Sequence, residues 1–177
     1  MSLDPDDIDE KIRSHHLWLR RKPGGRRADF SNADMKAYEL VDIILVRAKL
    51  LGANVSGNKL NGISLSESDL YSADFSYSDL LGTNLSLADL RGTKLREANL
   101  TGANLEGTDM REGTLMSYEK GKGEFASDLY KCTLDNTILR DANLTRANLS
   151  RSSIQNADLS STRHAGKAAA LKKAASA

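Results

Sequence analysis

Large apolar residues recur at every fifth position along most of this chain of 177 residues. A first run holds 18 consecutive centres, from Phe30 to Leu115, and a second run, in a shifted frame, holds 7, from Leu129 to Leu159. A period of five matches neither the 3.6-residue repeat of an α-helix nor the two-residue repeat of a β-strand. The pattern therefore predicts a chain that places one large side chain inside and then turns, once in every repeat.

The residues that precede each centre are also regular. Two positions before most centres stands a small residue, and one position before many of them stands Asp or Asn. The clearest examples are ADFSN (28–32), ADFSY (73–77), ADLRG (88–92), ANLTG (98–102), ANLEG (103–107), ANLTR (142–146), ANLSR (147–151) and ADLSS (157–161). The small residue predicts a second inward position, and Asp or Asn predicts a side chain that bonds the backbone of a turn.

Two inward positions in every repeat predict a corner at each repeat. Four sides then close a square coil of about 20 residues, and successive coils pair their backbones at about 4.8 Å. The large centres stack along the axis, and the small residues fill the rest of a narrow interior. Self-similarity at a fixed period of this kind is the signature of a solenoid.

This pattern resembles the pentapeptide-repeat family, in particular its bacterial members with an N-terminal helical leader. The resemblance covers residues 28–162. It implies an all-β, right-handed quadrilateral β-helix of about six coils and about 30 Å in length. We expect a helical cap at 1–27, the solenoid at 28–162 and a basic, Ala-rich tail at 163–177.

Both ends of a solenoid need cover, because an open terminal coil exposes apolar interior and an unpaired backbone edge. Residues 5–21 predict a capping helix, with Asp4 as the N-cap and Pro5 in the first turn. Its expected buried stripe consists of Ile8, Ile12, Trp18 and Leu19. In the tail, Leu171 is the only large apolar residue, so a short capping or dimerising helix and a frayed end both stay open.

Two departures from the pattern predict irregular structure. In the first coils, larger residues occupy four of the inward small positions, namely Tyr38, Ile43, Asn58 and Ile63. We expect distorted faces there and partial exposure of the run at 41–46, either as a contact site or as local repacking under the leader. At 116–126 the frame changes, and Gly121 and Gly123 beside charged residues predict a projecting loop. That loop is either functional or a tolerated irregularity.

The sequence offers little for catalysis or for metal and cofactor binding. Cys132 is the only cysteine, which excludes multi-cysteine metal sites, and its inward position predicts a buried filler. The three histidines, His15, His16 and His164, lie outside the repeats, so no serine has a histidine in register as its base. Gly-rich phosphate loops are also absent from the sequence. We therefore expect a non-enzymatic protein without cofactors.

Membrane insertion and secretion are not expected either. No apolar run approaches the roughly 18 residues of a membrane span. The first residues, MSLDPDDIDE, contain no apolar signal region. The expected location is the bacterial cytoplasm.

Charge is segregated along the sequence. Residues 28–162 carry 14 Lys/Arg against 19 Asp/Glu, a net charge of −5, whereas 163–177 carries +4. Because residues 20 apart lie above one another in the expected coil, several aspartates share a column, which is either an imitation of DNA phosphates or a solvated face. The candidate partner-binding residues are Asp69, Asp74, Asp79, Asp89, Asp109, Tyr118, Lys120, Lys122 and Phe125.

Two functions of different classes follow from these features. The first is a non-catalytic scaffold that docks an unknown protein partner on its rigid faces and on the 116–126 loop. The second, implied by the family resemblance, is a DNA mimic that inhibits or protects DNA gyrase, a type II topoisomerase, as in quinolone resistance. Interleaved Lys and Arg weaken that second hypothesis. Direct nucleic-acid binding by the tail is not expected, since the tail has no aromatic residue, and we expect a monomer or weak homodimer.

Overall fold

The chain winds into stacked coils whose backbones pair along four sides. This computed structural model describes residues 4–36, 38, 40, 43–113 and 127–163. Parallel β-bridges join the residue that precedes each centre to its counterpart one coil later, for example Asp29 to Lys49. Every bridge that does not cross 114–126 joins residues four repeats apart, as a coil with four five-residue sides requires.

We number the four sides in chain order by their bridged residues. Side 1 contains Asp29, Lys49, Asp69, Asp89, Asp109, Asn143 and Arg163. Side 2 contains Asp34, Asn54, Asp74, Lys94, Asp128 and Asn148. Side 3 contains Lys59, Asp79, Asn99, Thr133 and Ser153, and side 4 contains Ile44, Ser64, Asn84, Asn104, Ile138 and Asp158.

Each corner is a tight turn of two residues. The N–H of the next small residue donates to the carbonyl of the preceding centre, as from Ala33 to Phe30 at 3.0 Å. The second turn residue has a positive φ, which is 57° at Asn32 and 63° at Gly52. Its own N–H donates to the following coil, as from Gly52 to the carbonyl of Tyr71 at 2.8 Å. In the part of the chain described, β-pairing thus consists of single bridged residues and not of extended strands.

The apolar centres and the small residues before them fill the interior. The centres from Phe30 to Met110 and from Leu129 to Leu144 are all buried. In the last described coil Ile154 is buried, whereas Leu149 and Leu159 are half-buried. The sequence prediction of one axial stack of large side chains is therefore confirmed.

Three of the four larger inward residues of the first coils are buried, whereas Tyr38 is half-buried at the edge of the core and its hydroxyl donates to the Asp9 carboxylate. Ile43 and Ile63 remain in the core, and the buried Asn58 amide donates to a backbone carbonyl of the preceding coil at 2.9 Å. Within the described part of the run at 41–46, Ile44 is 48% exposed. The partial exposure expected for this run is present at Ile44, an outward bridge position, and its role as a contact site stays a prediction.

The frame change is a 14-residue insertion, 113–126, at the corner between sides 1 and 2 of one coil. Some bridges cross the insertion, such as that from Lys94 to Asp128. Their sequence separation exceeds that of regular bridge partners by the length of the insertion. Leu129 is the next centre after Met110 in the stack. The coil before it shows this pairing, because the N–H of Leu95 donates to the carbonyl of Asp128, the residue before Leu129, at 2.8 Å. The expected centre Leu115 and the expected loop at 116–126 lie outside the described residues.

One α-helix, α1 (Pro5–Leu19), precedes the first coil. The Asp4 carboxylate caps it by accepting the N–H of Asp6 at 3.0 Å, which confirms the predicted N-cap. The helix ends two residues before the predicted position, because Arg21 adopts a positive φ of 52°. It packs on the solenoid, and Lys11 Nζ donates to the carbonyl of the first bridged residue of side 1 at 3.0 Å.

The buried face of α1 differs from the predicted stripe. Ile8 and Ile12 are buried as expected, and the third buried residue is His15, which is fully inaccessible. Trp18 and Leu19 are only half-buried. The spacing of 8, 12 and 15 follows one face of a helix, and on that face the imidazole takes the place expected for an apolar side chain.

Candidate functional site

Three aspartates stack in consecutive coils on side 1. Bridges join Asp69 to Asp89 and Asp89 to Asp109. The Arg91 guanidinium lies 2.5 Å from the Asp89 carboxylate and 3.8 Å from that of Asp109. The Arg111 guanidinium lies 2.6 Å from the Asp109 carboxylate. Two arginines thus neutralise two of the three stacked carboxylates.

The arginines set the ionisation of this column. Partial burial of the Asp109 carboxyl opposes ionisation, but hydrogen bonds and charge from Arg111, with the charge of Arg91, outweigh it and lower the pKa of Asp109. Hydrogen bonds to Asp89 raise the pKa of the Arg91 guanidinium. Near neutral pH the column is a charge-paired ladder and not a strip of free negative charge.

The aspartates and asparagines before the centres also have a structural role. The Asp69 carboxylate accepts the N–H of Tyr71 at 3.3 Å, and the Asp89 carboxylate accepts that of Arg91 at 3.1 Å. The same bond to the second following residue recurs on all four sides, as at Asn54, where the distance is 3.1 Å. The predicted turn bond is confirmed, and since Asn makes it as well as Asp, it needs an oxygen and not a charge.

The other acidic candidates lie on other sides. Asp74 is on side 2, where Lys94 Nζ lies 3.5 Å from its carboxylate. Asp79 is on side 3, opposite side 1, and accepts the side-chain amides of Asn61 and Asn99 at 2.8 and 2.9 Å. One flat surface cannot contain all five aspartates, and their role in partner binding stays a prediction.

The insertion leaves and re-enters the solenoid at the corner between sides 1 and 2. Gly113 packs so closely on Tyr71 that a Cβ there would lie 3.1 Å from the phenol ring. On the return, Ser127 Oγ donates to the carbonyl of Arg111 at 3.0 Å. The Arg91 guanidinium stacks over the Tyr71 ring at 5.3 Å. The insertion therefore emerges directly beside the charged column.

We call this surface the insertion corner. It consists of Asp69, Tyr71, Asp89, Arg91, Asp109 and Arg111. The candidate loop residues Tyr118, Lys120, Lys122 and Phe125 belong to the inserted segment and lie outside the described residues.

A cluster of cations around one aromatic ring was not among the sequence predictions. It lies at the corner between sides 2 and 3, where Arg96, Lys131 and Arg151 approach the ring centroid of Tyr130 to 4.3, 5.5 and 5.9 Å. Glu97 offsets this charge, with its carboxylate 3.7 Å from Lys131. The sequence alone did not show this cluster. Arg96 and Tyr130 occupy equivalent positions in successive coils only when the 14-residue insertion between them is taken into account.

The described residues offer no arrangement typical of catalysis. Cys132 is buried as predicted, its thiol donates to the carbonyl of Leu95 at 2.6 Å, and burial raises its pKa to about 12, which is the opposite of an activated thiolate. No group of three or more potential metal-ligating side chains occurs among those residues. Within the same ranges, no helix has the length and apolar character needed to cross a membrane.

These features define a class of protein, namely a four-sided parallel β-solenoid of five-residue repeats with a helical N-terminal cap. The family model described as pentapeptide repeats matches eight copies, over residues 48–86, 79–112 and 127–163. The chain therefore belongs to the pentapeptide-repeat family, whose members fold as right-handed quadrilateral β-helices and are generally non-catalytic structural or interaction modules. The match leaves out the whole insertion, 113–126.

Solved structures similar to this chain are pentapeptide-repeat proteins of diverse origin. One, from the thylakoid lumen of Arabidopsis thaliana, is 32% identical with a TM-score of 0.37, over 50% of this chain and 66% of that chain. HetL, involved in heterocyst differentiation regulation in the cyanobacterium Nostoc sp. strain PCC 7120, is 26% identical with a TM-score of 0.30, over 77% and 72%. QnrB1, a plasmid-mediated fluoroquinolone resistance protein, is 20% identical with a TM-score of 0.37, over 84% and 87%. No curated protein matches the sequence.

Proposed function

We propose that this chain is a non-catalytic scaffold, a solenoid of about six coils, that binds a protein partner through the insertion corner and the 116–126 segment. The observation that carries the proposal is the position of the insertion, which leaves at Gly113 and returns at Ser127 beside the charged column of side 1. Segments inserted into a regular framework are frequent carriers of function. Coil-to-coil bridges make the underlying surface rigid, so little order has to be gained on binding.

The chemistry of the insertion corner favours a partner surface of mixed charge. Asp89 pairs with Arg91 and Asp109 with Arg111, so both signs of charge are presented within two coils. Arginine and tyrosine are enriched among the residues that dominate binding at protein interfaces. Asp69 forms no ion pair within the described residues and supplies an acceptor for a basic group of the partner.

Excision of the insertion tests the proposal. Deleting 113–126 joins Glu112 to Ser127 and restores the five-residue spacing from Met110 to Leu129. A partner identified by crosslinking to the full chain would then be titrated against both proteins. We expect the deletion to weaken binding at least about tenfold, equivalent to about 1.4 kcal/mol. An unchanged dissociation constant would remove the segment from the interface.

A second experiment tests the column without disturbing the fold. The triple variant Asp69→Asn, Asp89→Asn and Asp109→Asn keeps an oxygen for every turn bond and removes three charges. Asp79→Asn on side 3 is the matched control. We expect weaker binding only for the triple variant, and equal effects of the triple variant and the control would contradict the assignment to this corner.

DNA mimicry toward gyrase is the competing function. Mimicry requires a row of uncompensated negative charge, whereas Arg91 and Arg111 pair with two of the stacked aspartates. We therefore expect excess protein to leave gyrase supercoiling and quinolone-induced cleavage unchanged. Inhibition of supercoiling, or protection against quinolone, would favour mimicry over the scaffold.

A further inference from the structure

An imidazole ring forms part of the contact between α1 and the first coil, alongside the buried Ile8 and Ile12 and the hydrogen bond from Lys11 to Asp29. His15 is completely buried, and its Nδ1 accepts the N–H of Ala28 at 3.1 Å. Ala28 is the first inward small residue of the solenoid and is itself buried. A nitrogen that accepts a hydrogen bond carries no proton, so the ring is neutral and its proton is on Nε2.

The surroundings of His15 oppose a positive charge. Burial lowers the pKa of His15 below its ordinary value of 6.5, and the charges of His16 on α1 and Arg27 on the connecting segment act in the same direction. From the first coil, only the backbone of Val46 opposes this shift. Nε2 is buried and forms no hydrogen bond of normal geometry within the described residues.

We propose that His15 is a pH-sensitive latch that holds α1 on the first coil, and that protonation of its Nδ1 releases the helix. A proton on Nδ1 would point at the N–H of Ala28, so two donors would meet inside the core in place of a donor and an acceptor. Among the residues that the structure describes, the charged side chains that act on the ring are His16 and Arg27, which carry the same sign as the new charge when protonated and supply no counter-ion.

Release of the latch would expose the N-terminal end of the solenoid. Phe30 in the first coil and the apolar residues Ile8 and Ile12 of α1 are all buried in one core cluster at this end. The same end includes the unpaired backbone edge of coil 1, where Lys11 now satisfies the carbonyl of Asp29. An exposed edge of this kind can pair with another chain, so acid would convert a closed end into a binding surface.

The sign of the effect follows from the lowered pKa. Above pH 6.5 the ring is neutral in both the docked and the released states, and the latch contributes fully to stability. As the pH falls below 6.5, the released state takes up the proton first, and docking weakens until the pKa of the docked state is passed. The cap is therefore expected to loosen in mild acid and to return at neutral pH.

Trp18 provides the readout, since it is the only tryptophan and its ring stacks on His15 at 5.4 Å. We expect a reversible change in its fluorescence, with a midpoint below pH 6.5, together with binding of a hydrophobic dye. His16→Gln is the matched control and keeps the transition, whereas His15→Gln removes it. The same transition in His15→Gln as in the unaltered protein would overturn the proposal.

A measurement on the unaltered chain covers the case in which His15→Gln releases the cap at every pH. Nuclear magnetic resonance of the His15 ring reports its tautomer and its titration directly. We expect the Nε2–H tautomer near neutral pH, and a shift of the Ala28 amide signal that titrates with the ring. A ring protonated on Nδ1 at neutral pH, or an Ala28 amide that does not follow the ring, would rule out the latch.

Discussion

Lys94 forms a bridge with Asp74 on one edge and with Asp128 on the other, and the sequence separations of the two pairs differ by the whole 14-residue insertion. This difference leaves the stack in register, since the N–H of Leu95 still donates to the carbonyl of Asp128 at 2.8 Å. The solenoid is therefore continuous through this point, and the insertion is an addition to one of its corners.

Deletion of 113–126 is expected to leave the solenoid at least as stable as the full chain. At the new junction Glu112 takes the second turn position, where Glu67 and Glu97 already adopt φ values of 56° and 58°. Removing the inserted residues also removes the entropy cost of closing the chain between Glu112 and Ser127, a gain of about 1 kcal/mol or more. Thermal unfolding followed by far-ultraviolet circular dichroism measures the change.

The matched control is deletion of 114–126, which keeps Gly113 as a sixth residue in that side. One extra residue forces a bulge into the ladder, so this shorter deletion is expected to melt at a lower temperature. If the 13-residue deletion proved more stable than the 14-residue one, the assigned length of the insertion would be wrong.

Two substitutions of Asp89 distinguish the contribution of its turn hydrogen bond to stability from the contribution of its charge. Asp89→Asn keeps an oxygen for the N–H of Arg91 and loses an ion pair that is partly exposed, so we expect a change within about 0.5 kcal/mol. Asp89→Ala removes the acceptor as well and is expected to cost about 1 kcal/mol. Urea denaturation of both variants measures the difference, and equal losses would contradict the structural role of the turn bond.

Much of this fold follows from the five-residue register. The register identified the centres from Phe30 to Met110 and the stacking of Asp69 on Asp89, because both depend only on a coil of four repeats. The length of the insertion did not follow, since Leu115 fits the same register in the sequence, whereas Leu129 takes the place after Met110 in the stack.

Two features of the candidate surfaces depend on three-dimensional contacts that no periodicity encodes. His15 is polar and was assigned to the cap without a contact of its own, yet its ring replaces an apolar side chain because the N–H of Ala28 needs an acceptor. The pairing of Arg91 with Asp109 crosses coils and depends on side-chain rotamers. The local sequence predicts the position of such a residue in the fold, but it does not predict which side chains or backbone groups that residue contacts.

Gly25 is expected to be essential for the position of α1. A Cβ at this residue would lie 2.3 Å from the backbone nitrogen of Trp18. Gly25→Ala should therefore displace the end of the helix and destabilise the protein by about 1–3 kcal/mol or more. Fluorescence of Trp18 and thermal unfolding report the two effects.

Gly24→Ala is the control for this prediction. Gly24 has a φ of 78° and no atom within 4 Å of an added Cβ, so its replacement costs only about 1 kcal/mol for the left-handed backbone. A larger loss for Gly24→Ala than for Gly25→Ala would contradict the close approach of the chain to α1.

The buried thiol of Cys132 is expected to lower the free energy of unfolding at alkaline pH. Burial raises the pKa of its thiol from 9.0 to about 12, so the folded state holds the proton more tightly than the unfolded state. The resulting stabilisation is complete below pH 9 and is lost as the pH rises from 9 towards 12. In Cys132→Ser the hydroxyl does not titrate in this range, and Ser127 shows that serine fits a buried inward position. The free energy of unfolding should therefore fall more steeply above pH 9 in the unaltered protein than in Cys132→Ser, whereas parallel pH profiles would show that the thiol does not contribute.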